Sequence, residues 1–269
     1  MWQVAKATIV RNHISNQRAY PWTFSLGHIV GGIYLVLVSF FSYHYLIHGQ
    51  LNARFAKYAG SHDYLSFAII GGLLGTLSIS MLMNVSRALI TELREGTLEV
   101  LLLSPARKSG YFLGTTIQQM YRIGLEFIPV MILGLFLGLR LTHANWMSVF
   151  PALLLYLFAC FAMALVLGAV MVSTRDTYIV QNTLFAMTAL VCGFQFPTQY
   201  LPAPLQWLGQ IFPLTQSLQL LRDSVLSGTS IWDAWQQVTD VISLCIIYSL
   251  VGIIAIKHVL RHVFERSIA

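Results

Sequence analysis

The chain has 269 residues, of which 57% are hydrophobic and 10% charged, with a formal net charge of +6 and a mean hydropathy of +0.69. Soluble globular chains carry roughly a quarter charged residues, so this composition excludes a single soluble core and makes lipid the natural solvent for the excess apolar surface. The positive charge does not indicate nucleic acid, because Lys and Arg sit in short segments between long apolar runs and no basic domain exists to carry such binding.

Residues 1–23 come first. Trp2, Val4, Ile9 and Ile14 are interleaved with Lys6, Arg11 and Arg18, a pattern suited to an amphipathic helix lying on an anionic inner leaflet. The apolar run that follows is too long for the core of a cleaved signal and has no small-residue cleavage site, so it reads as a retained first span. A helical span needs about 20 apolar residues. Six segments are predicted to qualify: 24–47, 64–85, 123–139 (with its helix starting near Tyr111), 147–172, 178–196 and 238–256. In lipid every backbone polar group must be satisfied within the segment, so these are helices. The expectation is an all-α integral membrane protein with one transmembrane domain over 1–269. With the N-terminus inside, eleven Lys and Arg fall in inner segments and four in outer ones, which places both termini in the cytoplasm.

The inner segment 86–110 carries Glu92, Glu95 and Glu99, three and then four residues apart. On a helix this makes an acidic stripe, interrupted at Gly96 and ended by Ser104-Pro105. It is either a solvated interfacial helix or a docking surface for a partner of complementary charge. Arg122 and Glu126, four apart, can pair along the third span. They line a translocation path or inner gate, or else form an interfacial ion pair with Arg122 reaching the headgroups.

In the outer segment 196–228, Pro197, Pro202, Pro204 and Pro213 break any through-going helix. Trp207 suits the headgroup boundary, and 212–226 reads as a short amphipathic helix with Arg222 and Asp223 near its polar edge. Irregular backbone at membrane depth requires burial in protein or a cavity to line, so this is a re-entrant outer gate or a simple surface loop.

Three pairs, Gly27–Gly31, Gly71–Gly75 and Gly134–Gly138, have the spacing that lets helix backbones approach closely, within one subunit or at a dimer seam. Cys160, Cys192 and Cys245 read as small buried apolar side chains. His44 and His48, like His258 and His262, have one-face metal spacing but no third ligand, so no metal is expected. No phosphate-binding G-x-x-x-x-G-K-[ST] motif occurs. Uphill transport would therefore draw its energy from another chain or an ion gradient.

The stretch Glu92-Leu93-Arg94-Glu95-Gly96-Thr97-Leu98-Glu99, followed by Leu102-Leu103-Ser104-Pro105, resembles the cytoplasmic coupling segment of type-2 ABC exporter permeases. That family includes drug, lipid-linked polysaccharide and teichoic-acid exporters. The outer run from Phe196-Pro197 through Leu205-Gln206-Trp207-Leu208 and Phe212-Pro213-Leu214-Thr215 to Leu220-Leu221-Arg222 resembles the short re-entrant outer helices that precede the family's last span. The resemblance implies a cytoplasmic ABC ATP-binding subunit docked on residues 92–99, with ATP and Mg held there and no cofactor on this chain. It also implies a second copy of the chain or a related permease, and export of a drug, lipid or lipid-linked glycan across the inner (plasma) membrane. The N-terminal helix would cradle the ATPase from the side. A stand-alone secondary transporter or channel is the alternative. A lipid-modifying membrane enzyme using His62, Asp63, Asp223 and Asp233 is a third reading.

Overall fold

The structure is a computed structural model that describes residues 2–19, 23–46, 55, 58–59, 63–97, 108–174, 176 and 178–268. These form α1 (Trp2–Ala19), α2 (Thr23–Phe41) continued by a π-helical turn (Ser42–Leu46), α3 (Tyr64–Arg94), α4 (Lys108–Phe136) and α5 (Trp146–Thr174). Then come α6 (Tyr178–Val191), a 3-10 turn (Thr198–Tyr200), α7 (Ala203–Ile211), α8 (Pro213–Leu226) and α9 (Trp235–Ile268). No strand occurs among the described residues.

Among the described residues, four stretches are long and apolar enough to cross a membrane: Tyr64–Arg94, Leu113–Phe136, Trp146–Thr174 and Trp235–Val259. The chain is a multi-pass membrane protein. The first expected span is helical from Thr23 to Leu46, and the fifth is shorter than predicted. The fifth stops at Val191, not at residue 196, and its 14 residues give about 21 Å of helix. The cause is local: Gly193 takes the left-handed conformation (φ 72°), which ends the helix and turns the chain through Cys192–Phe196.

Helix α5 occupies the centre and packs on α3, α8 and α9. Its buried positions include Ala152, Ala159, Ala162, Ala164, Gly168 and Ala169. Lipid gives helices no hydrophobic reason to associate, so close backbone approach over small residues must supply the contact. A Cβ on Gly168 would lie 3.3 Å from the Ser86 carbonyl oxygen of α3, and one on Gly252 of α9 would lie 2.7 Å from Leu165 Cβ. Tyr156, completely buried on α5, donates its hydroxyl to the Leu74 carbonyl of α3 at 2.7 Å and also meets the Ser78 hydroxyl. The three cysteines are buried and free.

Helix α1 packs along the first half of α4. Ala5 and Thr8 face inward, and a Cβ on Gly114 of α4 would come 2.6 Å from the Ala5 carbonyl oxygen. Trp2, Val10 and Ile14 lie on the exposed side.

The glycine pairs divide. Gly71 is covered by the Phe194 carbonyl and the Arg222 guanidinium, and a Cβ on Gly75 would touch the Phe194 ring at 3.0 Å. Gly134 faces Ile69, while Gly138 (φ 110°) turns the chain after α4. Both pairs therefore serve packing inside one subunit. Gly27 and Gly31 have nothing within 4 Å among the described residues. Gly71→Ala should destabilise the protein by about 1–3 kcal/mol through overpacking and lower its melting temperature in detergent, whereas Gly27→Ala should leave that temperature unchanged.

Candidate functional site

Helix α3 carries a polar cluster at each end. At its start, Asp63 is the N-cap and accepts from the Ser66 amide at 3.1 Å, satisfying a donor that the first turn leaves open. At its end, the Thr97 amide donates to the Glu92 carbonyl (3.0 Å) and the Gly96 amide to the Leu93 carbonyl (3.3 Å). Gly96 has φ 71°. This is the Schellman arrangement, in which a left-handed glycine closes the last helical turn. The helix thus stops at Gly96 rather than bending there and running on to Ser104-Pro105. Leu98, Glu99 and Ser104-Pro105 lie outside the described residues.

Glu92 and Glu95 lie in different surroundings. Glu92 is 2% exposed. It accepts hydrogen bonds from the Thr97 hydroxyl and from the Tyr111 hydroxyl of α4 at 3.1 Å, and it pairs with Arg11 of α1. Arg94, Glu95, Gly96 and Thr97 are exposed. Glu92 therefore holds three helices together, and it is the 94–97 turn that meets the surroundings. Burial works against the Arg11 charge, but the hydrogen bond and charge of Glu92 outweigh it and raise the guanidinium above its ordinary pKa. Nothing near Arg11 in sequence signals a partner 81 residues away.

The prolines of the 196–228 segment start helices as well as stopping them. Pro197 precedes the 3-10 turn, Pro202 precedes α7 with Pro204 in its first turn, and Pro213 is the first residue of α8. At these positions the missing N–H costs nothing. Trp207 is 66% exposed. Helix α8 is largely buried, with Leu214 and Leu218 sealed against the other helices. The Phe194 turn reaches the level of Gly71 and Gly75, about 12–18 Å along α3 from Asp63.

Arg222 is not at a polar edge. It is 5% exposed and donates to the Gly193 carbonyl at 2.7 Å and to the Phe194 carbonyl. Its guanidinium lies 3.8 Å from the centre of the Phe67 ring, a cation–π contact. One side chain of α8 thereby fastens the turn after α6 to α3. The available signal was its flanks, Leu220-Leu221 and Val225, since an Arg set in an apolar run must find partners when buried.

Arg122 and Glu126 pair along α4, Nε to Oε1, at 3.2 Å. Glu126 borders a cavity of about 20 Å³ beside Gly32, Thr76 and Ser80, between α2, α3 and α4. That volume suffices for a single water molecule.

The sequence profile described as "ABC-2 family transporter protein" matches residues 47–257, so the chain belongs to the ABC-2 transporter family. Within that family it is a membrane transport component, not a nucleotide-binding one. No curated protein matches the chain in sequence.

The Arg11–Glu92 contact is asymmetric, because the Arg11 side chain is 53% exposed and that of Glu92 is 3% exposed. Arg11→Gln leaves a buried carboxylate short of its cation and should cost about 1–3 kcal/mol. Glu92→Gln frees an arginine that water can reach and should cost less. In thermal unfolding, the double variant should resemble Glu92→Gln alone. Arg222→Met leaves two buried carbonyls unpaired and should cost about 2–4 kcal/mol, seen as a lower melting temperature and faster proteolysis in the 192–202 turn.

Proposed function

We propose that this chain is one permease subunit of an ATP-driven exporter, paired with a second copy or a related permease and docked on a separate cytoplasmic ATP-binding subunit. Membership of the ABC-2 family carries the reading. The absence of a phosphate-binding loop from the sequence supports a division of labour in which ATP and Mg are held by the partner chain.

Six crossings complete the topology. Helix α2 with its π-helical turn runs from Thr23 to Leu46, about 36 Å if regular. Helix α6 with the turn after it serves as the fifth crossing. Even parity keeps both termini on the side favoured by eleven of the sixteen Lys and Arg residues. It also puts α7 and α8 at the outer face as a re-entrant segment, in keeping with the depth of Phe194 along α3.

The docking surface is the exposed Arg94–Thr97 turn with Leu98 and Glu99. Glu92 stands behind it and fixes it to α1 and α4. When ATP brings the two ATP-binding subunits together, they push on this turn. Since the turn is closed onto α3 by hydrogen bonds, the displacement passes into α3 as a body and shifts the bundle between two packed arrangements. The substrate is hydrophobic or amphipathic, a drug, a lipid or a lipid-linked glycan, taken from the cytoplasm or inner leaflet.

The test is co-expression of the tagged chain with the ATP-binding protein encoded nearest to it, scoring association and vanadate-sensitive ATP hydrolysis. Wild type should retain the ATPase. Glu95→Lys combined with Glu99→Lys should weaken association about tenfold, and Asp233→Asn, at the other end of the bundle, should not. Absence of association with any ATPase of the same cells would overturn the reading and favour the stand-alone transporter, with Arg122 and Glu126 as its first residues to test.

A further inference from the structure

At the end of the bundle opposite Glu92 lies a cavity of about 650 Å³, within the range of small-molecule sites. It is formed where the π-helical turn after α2, the start of α3, the 137–143 connection and the end of α8 meet. Its rim is fixed by a relay. The Arg140 amide donates to the Ser66 hydroxyl at 2.9 Å, and that hydroxyl donates to Asp63 Oδ2 at 2.7 Å. The 137–143 connection is thus tied to the first turn of α3.

The polar lining is unbalanced. Asp63 is the one carboxylate among the described lining residues, and both its oxygens already accept from Ser66. Facing the space are Arg140, His143, Thr142, Tyr43 and His44. The Arg140 guanidinium makes no hydrogen bond or ion pair among the described residues. The Nδ1–H of His44 is used on the Phe40 carbonyl at 3.1 Å, which leaves Nε2 to meet a hydroxyl. Beside these groups run apolar walls from Phe40, Leu65 and Leu226.

A cation-bearing, donor-rich surface next to an apolar wall, set where long apolar helices begin and end, matches one chemistry. We propose that this cavity binds the phosphate headgroup of an anionic amphipathic molecule, with Arg140 and His143 on the phosphate and the apolar wall along the chain that follows it. Arginine suits this role because its planar donors match phosphate oxygens and its charge does not titrate away. A free metal cation is disfavoured, since the one carboxylate among the described lining residues caps α3. A bare inorganic anion would leave most of the volume unused. The proposal does not depend on the direction of transport or on an ATPase, so it can fail while the exporter reading stands, and the reverse.

The experiment is native mass spectrometry of the purified full-length chain in mild detergent. Palmitoyl-oleoyl phosphatidylglycerol and the matching phosphatidylcholine are the probes, with sn-glycerol 1-phosphate as competitor. Wild type should retain phosphatidylglycerol in preference to phosphatidylcholine. Arg140→Gln should reduce that retention about tenfold, and Arg140→Lys should reduce it less. Lys257→Gln, at the far end of α9, should match wild type and so exclude an effect of net charge. Equal melting temperatures for the variants confirm that the fold is intact. Displacement of the lipid by glycerol phosphate supports the site and assigns it to the phosphate alone. Retention against glycerol phosphate supports the site and assigns it to the intact lipid. Equal retention by Arg140→Gln and wild type, or equal retention of the two lipids by wild type, overturns the proposal.

Discussion

Two helices in lipid gain nothing by hiding apolar surface from each other, because the solvent is as apolar as they are. Every contact in this bundle must therefore come from close backbone approach or from a polar group that cannot be left alone. The α5 helix shows the first solution, since Gly168 lets α3 approach it and Gly252 lets α9 approach its Leu165. Tyr156, Arg222 and Glu92 show the second. Each is buried, and each reaches another helix or turn: Tyr156 the Leu74 carbonyl, Arg222 the Gly193 carbonyl and Glu92 the Arg11 guanidinium. The apolar side chains fill the remaining space.

Helix α3 gains its importance from this arrangement. Its 31 residues make a rod of about 46 Å, longer than the hydrocarbon thickness. One end is capped by Asp63 and joined through Ser66 to the 137–143 connection. The other is closed by Gly96 and joined through Glu92 to α1 and α4. Between them Gly71 and Gly75 receive the turn that follows α6. The two ends of the molecule are thus connected by a single helix, with the turn after α6 leaning on its middle.

Much of this was legible in the sequence, for a physical reason. Long apolar runs must be helices in lipid, so the positions of α3, α4, α5 and α9 followed from hydropathy, and the Arg122–Glu126 pair from four-residue spacing. The ends of elements were not legible. Helix α3 ends where a single backbone angle at Gly96 closes it. Gly193 shortens α6 in the same way. A glycine's identity permits a left-handed conformation without requiring it, so the neighbours decide. Arg222 was misplaced because a helical wheel counts polar residues as exposed, whereas this one is surrounded by carbonyls and a ring. Arg11 could not be paired from sequence, since its partner lies across two helices.

The docking of α1 on α4 bears on how the molecule is made. Arg11 is synthesised 81 residues before Glu92, and the Gly114 surface beneath Ala5 emerges later still. At about 5–20 residues per second of synthesis, the first helix waits several seconds for the surface it will occupy. Its exposed Trp2, Val10 and Ile14 side chains suit a membrane surface in that interval. The Arg11–Glu92 contact can therefore close only once α3 has been made.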